Sequence, residues 1–190
     1  MWGVYIFAGA CGSAMSLTVL VISALRKAGY LRETVTIEHY HIMGKWMLSF
    51  TVFWAYIGFS QYMLIWYANI PEETEYFLLR NTESWNLLSL LLVIGRFFLP
   101  FAILLMRFVK LKPEKLCWIA GWVVCMQLLD MYVVVMPELH RTGVHFSILD
   151  LIPLIGMGGA LGFVYLRIVN KSSLFPVRDP RLIESLRIVN

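Results

Sequence analysis

The sequence predicts an all-α integral membrane protein, built as a bundle of five transmembrane helices. Three observations support this fold class. Of the 190 residues, 59% are hydrophobic and only 15% are charged, whereas soluble domains have roughly 45–50% apolar and about 25% charged residues. The mean hydropathy is +0.72. Five continuous apolar runs are each long enough to cross a bilayer as a helix, which takes about 20 residues.

The five runs are predicted to be helices because the hydrocarbon core offers no water to the backbone, and these runs lack the alternation of barrel strands. They form a predicted bundle over residues 1–170, followed by an extended cytoplasmic tail over residues 171–190. A short interfacial helix is predicted over residues 32–41, ended by Gly44, and a short amphipathic piece over residues 75–80. The predicted spans are residues 2–25, 46–70, 87–109, 116–137 and 147–169.

The distribution of Lys and Arg predicts the orientation. Basic residues are frequent in the first and third loops and in the tail, and rare in the second and fourth loops. By the positive-inside rule the N-terminus is outside, in the periplasm, and the C-terminus is cytoplasmic. We interpret these charges as topology signals and not as a nucleic-acid-binding surface. The basic segments carry Arg26, Lys27, Arg32 and Lys45, then Lys110, Lys112 and Lys115, then Lys171, Arg178, Arg181 and Arg187.

The N-terminal stretch MWGVYIFAGACGSAMSLTVL is apolar from its start, and the positive charges come after it. A signal peptide has the reverse order, with positive charge first. We therefore expect a further segment upstream of this chain. The alternative is a short N-terminal tail that inserts directly.

Arg96 and Asp130 are ionisable residues within the predicted spans, and Asp150 lies near the entrance of the fifth span. Such residues are costly in lipid and usually face the bundle interior or water. At about 1.5 Å per residue, Arg96 and Asp130 both lie roughly 10–14 Å below the outer surface. Gln61 and Gln127 fall at a similar depth. We predict an Arg96–Asp130 ion pair within a polar layer.

Gln61 and Tyr62 or Tyr132 are predicted to complete the network around this pair. Two interpretations remain open: the layer specifies helix packing, or it carries protons or lines a substrate cavity. Pro100, one turn after Arg96, predicts an irregular helix at this level, as Pro153 does near Asp150. Irregular helices beside buried charge favour a cavity or a pathway.

His39 and His41 flank the predicted cytoplasmic edge of the second span, where Glu38 accompanies them. They are candidates for a proton uptake point, because histidine titrates near neutral pH. The alternative is a pair of solvated interfacial histidines. Their i, i+2 spacing argues against a shared metal, and no histidine lies at mid-membrane depth, which argues against haem b. No catalytic, cofactor-binding or metal-binding residue is predicted on this chain.

Small residues four apart occur in the first and fifth spans and permit close helix contact. The pairs are Gly9 with Ser13, Ala8 with Gly12, and Gly158 with Gly162.

The stretch HYHIMGKWMLSFTVFWAYIGFSQYMLIWYANIPEETEYFLLR resembles the second NrfD-like membrane subunit, of the ActF type, of bacterial alternative complex III. DMYVVVMPELH after the fourth span and DPRLIESLRIVN in the tail are similar to that subunit too. The resemblance covers the chain from the second span to the end. Members of the family are about twice as long, with about ten spans, so this chain resembles their C-terminal half.

The resemblance implies a subunit of a quinol:electron-acceptor oxidoreductase complex in the bacterial inner membrane. The implied partners are multihaem and monohaem cytochrome c subunits, an iron–sulfur subunit, a small anchor subunit and a sister NrfD-like subunit, which holds the better-supported quinol site. Haem c and iron–sulfur clusters would lie in those partners, with quinol nearby and no cofactor on this chain. The family's proton-path role is carried onto Gln61, Arg96, Asp130, Asp150, His39 and His41. An autonomous secondary transporter and a purely structural scaffold remain the alternatives.

Overall fold

The computed structural model of this protein describes residues 1–141, 143–174, 180 and 182–186, without the side chains of Glu83 and Ile183. The described residues form helices and contain no β-strand. Five helical segments are long and apolar enough to span a membrane, which agrees with the five predicted spans, whereas their association into one bundle and their orientation remain predictions. These segments are Trp2–Lys27, Ile37–Ala68, Ser84–Leu105, Pro113–Leu139 and Ile148–Val169.

The third span is built from three consecutive pieces, a first α-helix, a π-helical segment and a second α-helix. This irregularity lies at the level predicted from Pro100. In chain order the elements are α1 (Trp2–Lys27), α2 (Ile37–Ala68), α3 (Pro71–Leu79), α4 (Glu83–Leu92), the π segment (Val93–Phe98), α5 (Leu99–Leu105), α6 (Arg107–Lys110), α7 (Pro113–Leu139), α8 (Ile148–Val169) and α9 (Leu182–Leu186).

The first loop does not contain the predicted interfacial helix over residues 32–41, and that prediction is wrong. Thr36 caps the start of α2 through a capping box with His39, so the spanning helix itself begins at Ile37. Gly44 lies inside α2 and does not end it. A Cβ at this position would lie 2.7 Å from Lys110 Cγ, so the glycine makes room for a neighbouring side chain.

The second loop contains α3, in agreement with the amphipathic piece predicted over residues 75–80. Asn69 ends α2 in the left-handed conformation, with φ of 49°, which asparagine tolerates better than most residues. In the tail, α9 is a single short helix. The remainder of the predicted extended arm, at residues 175–179, 181 and 187–190, lies outside the described residues.

Within the first compact unit, Met1–Gly143, helix α1 packs along both α2 and α7. We call residues 69–82 and 138–141 the acidic-loop end, and residues 28–36 and 106–112 the basic-loop end. One apolar core lies towards the basic-loop end and includes Val19, Tyr40, Met47, Leu104 and Leu116. A second lies towards the acidic-loop end and consists of Ala8, Trp54, Leu92 and Val133.

The second unit begins at Val144. Its helix α8 starts at a capping box, in which the Ser147 side chain accepts from a backbone N–H and Asp150 accepts from the Ser147 N–H. Pro153 lies inside this helix.

Candidate functional site

An ion pair between Arg96 and Asp130 lies inside the first unit. Arg96 comes from the π segment and Asp130 from α7, and Arg96 Nη1 lies 3.3 Å from Asp130 Oδ2. Only 5% and 1% of these side chains are exposed, so the pair is withdrawn from solvent and lipid alike. Arg96 Nη2 also donates to Gln127 Oε1, one turn earlier on α7. The structure therefore brings together three of the predicted residues.

Two aromatic residues that sequence reasoning did not select complete the environment of Asp130. Tyr5 OH donates to Oδ1 over 2.5 Å, and Trp54 Nε1 donates to Oδ2 over 3.2 Å. The Trp54 ring also lies under the Arg96 guanidinium, 4.4 Å from its centroid. The Coulomb attraction within a buried ion pair often does not offset the free-energy cost of desolvating its two charges. The additional hydrogen bonds from Tyr5 and Trp54 help to offset that cost. The site thus joins α1, α2, the π segment and α7.

The π segment presents Arg96 to α7 because of Pro100. The Leu99 N–H donates to Ile94 O, five residues back. The equivalent donor for Gly95 O would be residue 100, which is proline and has no N–H. Trp122 Nε1 donates to Gly95 O instead, over 2.7 Å. A side chain from α7 therefore stabilises the irregular backbone that carries Arg96.

Gly9 allows α1 to approach the ion pair. A Cβ at Gly9 would lie 2.8 Å from Gln127 Oε1 and 2.9 Å from Arg96 Nη2, closer than side chains tolerate. Gly12, one turn on, is less crowded, because its nearest neighbour would be Phe50 Cβ at 3.6 Å. The small residues predicted to allow close helix contact in the first span thus serve the polar site.

Arg80 forms a second buried polar contact at the acidic-loop end. Its Nε donates to Val133 O over 3.0 Å and its Nη2 to Val134 O over 2.7 Å, while Nη1 donates to Tyr76 O over 2.6 Å. Val133 O needs an external donor because its helical partner would be the N–H of Pro137, which does not exist. Arg80 therefore caps a carbonyl that a proline leaves free.

The surroundings of Arg80 are also apolar and aromatic. Its Cζ atom lies 3.4 Å from the centroid of the Tyr76 ring. Burial lowers the pKa of the Arg80 guanidinium and raises the pKa of Tyr76 to about 12. In the sequence, Arg80 is distinguished only as the one basic residue of the predicted second loop. The proline inside the predicted fourth span was the signal that a carbonyl donor was needed.

A cavity of about 1140 Å³ adjoins the site and is lined by α1–α4, the π segment and α7. Asp130, Tyr5 and Trp54 line it at one side, and Gln61 and Tyr62 line it from α2. Gln61 is 5% exposed, and its Oε1 has no hydrogen-bond partner among the described residues. Gln61 therefore shares the cavity with Asp130 and makes no hydrogen bond within the ion-pair network.

The predicted tyrosines take other places. Tyr62 packs edge-on against Phe77, with ring centroids 5.1 Å apart. Tyr132 packs against Trp85, with ring centroids 5.9 Å apart. Tyr5 and Trp54 occupy the positions around Asp130 that were expected for tyrosines of the second and fourth spans. The depth of a residue could be read from the sequence, but not the direction in which its side chain points.

The predicted histidines lie at the basic-loop end, apart from the ion pair. His39 Nδ1 accepts from the Thr36 N–H over 3.1 Å, whereas His41 is buried, with Nδ1 3.9 Å from Glu38 Oε2. Trp54 lies thirteen positions after His41 on α2, or about 20 Å along the helix. Lys110 is buried at the same end, and its burial, followed by the charge of Lys45, lowers its pKa.

Asp150 does not contribute to the ion pair as described. It belongs to the second unit, where it serves as the acidic partner of the capping box that begins α8. Its side chain is half-buried there.

Among the described residues, no three or more His, Cys, Asp or Glu side chains are grouped so that they could hold a metal ion. Comparison of the chain with protein-family models gives no match, and comparison with curated proteins gives none either.

Proposed function

We propose that this chain is a membrane subunit of a quinol-oxidising electron-transfer complex of the alternative complex III type. In this proposal it contributes a proton pathway and structural support, and it carries no redox centre itself. The N-terminus is periplasmic, the C-terminus is cytoplasmic, and the membrane is the bacterial inner membrane. The partners are the cytochrome c, iron–sulfur, anchor and sister NrfD-like subunits implied by the sequence resemblance.

The observation that carries the proton-pathway role is the position of Asp130 on the cavity wall. The carboxylate accepts a 2.5 Å hydrogen bond from Tyr5 and faces Arg96, and the same residue lines a cavity that extends to Asn69 and Asn81 at the acidic-loop end. A carboxyl and a phenol in hydrogen-bond contact can exchange a proton with water in such a cavity. Intramembrane carboxylates in this setting are functional more often than not.

The role also explains why the chain keeps an ion pair that lipid would penalise. A pair used only to hold helices together is frequently replaced by apolar residues without loss of stability. The need for one of the two groups to gain and lose a proton during turnover would explain why the free-energy cost of burying Arg96 and Asp130 is tolerated. Arg96 then holds the carboxylate in position between successive proton transfers.

The first experiment is gentle isolation of this chain from native membranes, with mass spectrometry of the proteins that accompany it. Cytochrome c subunits and an iron–sulfur protein in fixed ratio are expected. A chain that purifies alone, stable and free of haem, would contradict the proposal and favour the transporter alternative.

The second experiment compares Asp130→Asn with Glu138→Gln in the assembled complex. Glu138 is a suitable control because it forms an exposed pair with Arg141, with 62% of its side chain accessible. In the fraction of the complex that assembles despite the loss of the ion pair, Asp130→Asn is expected to lower the protons moved per electron, while Glu138→Gln leaves this ratio unchanged. A normal ratio in the assembled Asp130→Asn complex would instead identify the pair as a packing device.

The scaffold alternative has one observation in its favour. The pair and the residues bonded to it join four helical elements, α1, α2, the π segment and α7, which is also what a packing device requires. Proton-to-electron stoichiometry, measured in reconstituted vesicles, separates the two roles because a scaffold variant that assembles should couple normally.

A further inference from the structure

Lys110 is a buried cation with no anionic partner in the described part of the chain. Only 7% of the residue is exposed, and no hydrogen bond or ion pair joins its ammonium group to a described residue. Lysine is almost never buried to this extent without a partner, because withdrawing an ammonium group from water is costly. An anion from outside these residues would offset that cost.

The packing of the lysine stem leaves the ammonium group accessible. Lys110 ends α6, and its stem passes Gly44 on α2, where a Cβ would lie 2.7 Å from Lys110 Cγ and 3.1 Å from Cδ. The fully buried side-chain nitrogen and oxygen atoms that lack a hydrogen-bond partner do not include Lys110 Nζ. Because Nζ also lacks such a partner, it must keep accessible surface. The stem is therefore covered by α2, whereas a ligand can contact the ammonium group.

Two further cations lie near Lys110. Burial, followed by the charge of Lys45, lowers the pKa of Lys110. Lys45, Arg107 and Lys110 all lie within electrostatic range of His41. Glu38 is an acidic residue in the same range, 3.9 Å from His41. These cations outnumber Glu38, so the electrostatic field at the Lys110 ammonium group attracts an anion.

The surroundings of these cations are those of a membrane interface. Lys110 follows the third membrane-spanning segment, which ends at Leu105, by five residues. Trp46 comes directly after Lys45 and is 51% exposed. Phe108 comes two residues before Lys110 and is 52% exposed. Cations that attract an anion thus lie beside exposed apolar rings that can contact acyl chains, which favours an amphipathic anion over a small soluble one.

We propose that Lys110 binds the phosphate group of an anionic phospholipid at the basic-loop end. Lys45 and Arg107, which are both exposed, attract the lipid, and Trp46 and Phe108 contact its acyl chains. Basic pockets between membrane helices bind such head groups. Lys110 supplies a positioned donor, because its stem is held against α2. The inference is independent of the proposed electron-transfer function, since it uses no residue of the ion-pair site.

The test measures lipid binding to the full chain by native mass spectrometry. Detergent-solubilised protein is titrated with phosphatidylglycerol, which is anionic, and with phosphatidylcholine, which has the same acyl chains but no net charge. We expect one phosphatidylglycerol to bind about tenfold more tightly than phosphatidylcholine. Equal binding of the two lipids would overturn the proposal and would favour an acidic side chain of a partner protein as the counter-ion of Lys110.

Lys110→Gln removes the buried cation, and Lys112→Gln is the matched control. Lys112 carries the same charge two residues away and is exposed. Only the first variant loses a positioned hydrogen bond to the phosphate, so its affinity for phosphatidylglycerol should fall about tenfold further than that of the control. Equal losses in the two variants would show unspecific attraction by the loop and would refute the assignment of Lys110.

Gly44→Ala displaces the lysine without changing any charge. The three atoms nearest to the new methyl group would be Cβ, Cγ and Cδ of Lys110, at 2.7–3.2 Å. Gly121→Ala is the control, because a Cβ there would meet no atom within 4 Å. Binding of phosphatidylglycerol should weaken in Gly44→Ala and stay the same in Gly121→Ala. Unweakened binding in Gly44→Ala would count against a positioned donor.

A large excess of glycerol phosphate distinguishes a lipid site from a site for a soluble anion. This compound carries the phosphate group without acyl chains, so it should leave phosphatidylglycerol bound to the wild-type chain. Displacement of the lipid would show that the acyl chains contribute nothing, and it would overturn the proposal. The two wild-type experiments stand whether or not the variants fold.

Discussion

Replacing Gly9 by alanine tests whether α1 approaches the ion pair as closely as the structure places it. The new methyl group would lie 2.8 Å from Gln127 Oε1 and 2.9 Å from Arg96 Nη2. Ordinary contact begins near 3.4 Å, so the amide and guanidinium groups would have to retreat by about half an ångström. Their movement is restricted, because the guanidinium is paired with Asp130 and hydrogen-bonded to the Gln127 amide. Movement of α1 is restricted by the hydrogen bond from Tyr5 to Asp130.

The expected cost follows from two opposing effects. Overpacking of this kind destabilises a protein by about 1–3 kcal/mol, while alanine favours a helix over glycine by up to about 1 kcal/mol. Gly12→Ala is the matched control, because it makes the same change on the same helix with its nearest neighbour at 3.6 Å. The helix preference cancels in the comparison, so Gly9→Ala should be less stable than Gly12→Ala by about 1–3 kcal/mol.

The assay is unfolding in mixed detergent micelles with increasing dodecyl sulfate, followed by far-ultraviolet circular dichroism. The double variant Gly9→Ala with Gln127→Ala removes the closest overlapping amide and should recover part of the lost stability. Equal stability of Gly9→Ala and Gly12→Ala would refute the reasoning, since it would mean that α1 does not crowd the polar groups.

Three further expectations concern the polar contacts, each measured by the same unfolding assay. Arg80→Gln should destabilise the fold by about 1–3 kcal/mol. Adding Pro137→Ala to this variant should reduce the loss, because it restores a backbone N–H for the Val133 carbonyl that Arg80 caps. A loss that stays the same in the double variant would contradict the capping role. Arg96→Gln or Asp130→Asn alone should each cost about 3–5 kcal/mol, and the two together less than their sum; strict additivity would argue against a coupled pair. Trp122→Phe should cost about 1–3 kcal/mol by leaving a carbonyl of the π segment without its donor; an unchanged stability would show that this hydrogen bond contributes nothing.

The depth of the polar groups could be predicted from the sequence, whereas their partners could not. Counting residues from the ends of the apolar runs places Arg96, Asp130 and Gln127 at one level, and the structure brings these three into contact. Tyr5 was not predicted as a site residue, because a tyrosine near the start of a span is typical of the membrane interface. Trp54 was not predicted either, because the second span contains many aromatic residues and none of them stands out.

The misplaced predictions have a similar cause. Gln61, Tyr62 and Tyr132 were assigned to the network by depth, but the direction of each side chain around its helix differs from the expected one. Gln61 and Tyr62 line the cavity, Tyr62 also packs against Phe77, and Tyr132 packs against Trp85. The expected helix over residues 32–41 overlooked Thr36, whose capping box with His39 begins α2 at Ile37.

The five apolar helices, their approximate ends and the common level of Arg96 and Asp130 follow from the amino-acid sequence, because they depend on the length of each run and a fixed rise per residue. The side of each helix that faces its neighbours is known only from the tertiary contacts. Helices α2 and α7 are nearly equally apolar on all sides, and a helix surrounded by lipid has no polar face to reveal its rotation. The rotation of each helix about its axis is set by contacts between residues distant in the chain. Examples are the close approach of Gly9 to Arg96 and the hydrogen bonds from Arg80 to the carbonyls of Val133 and Val134.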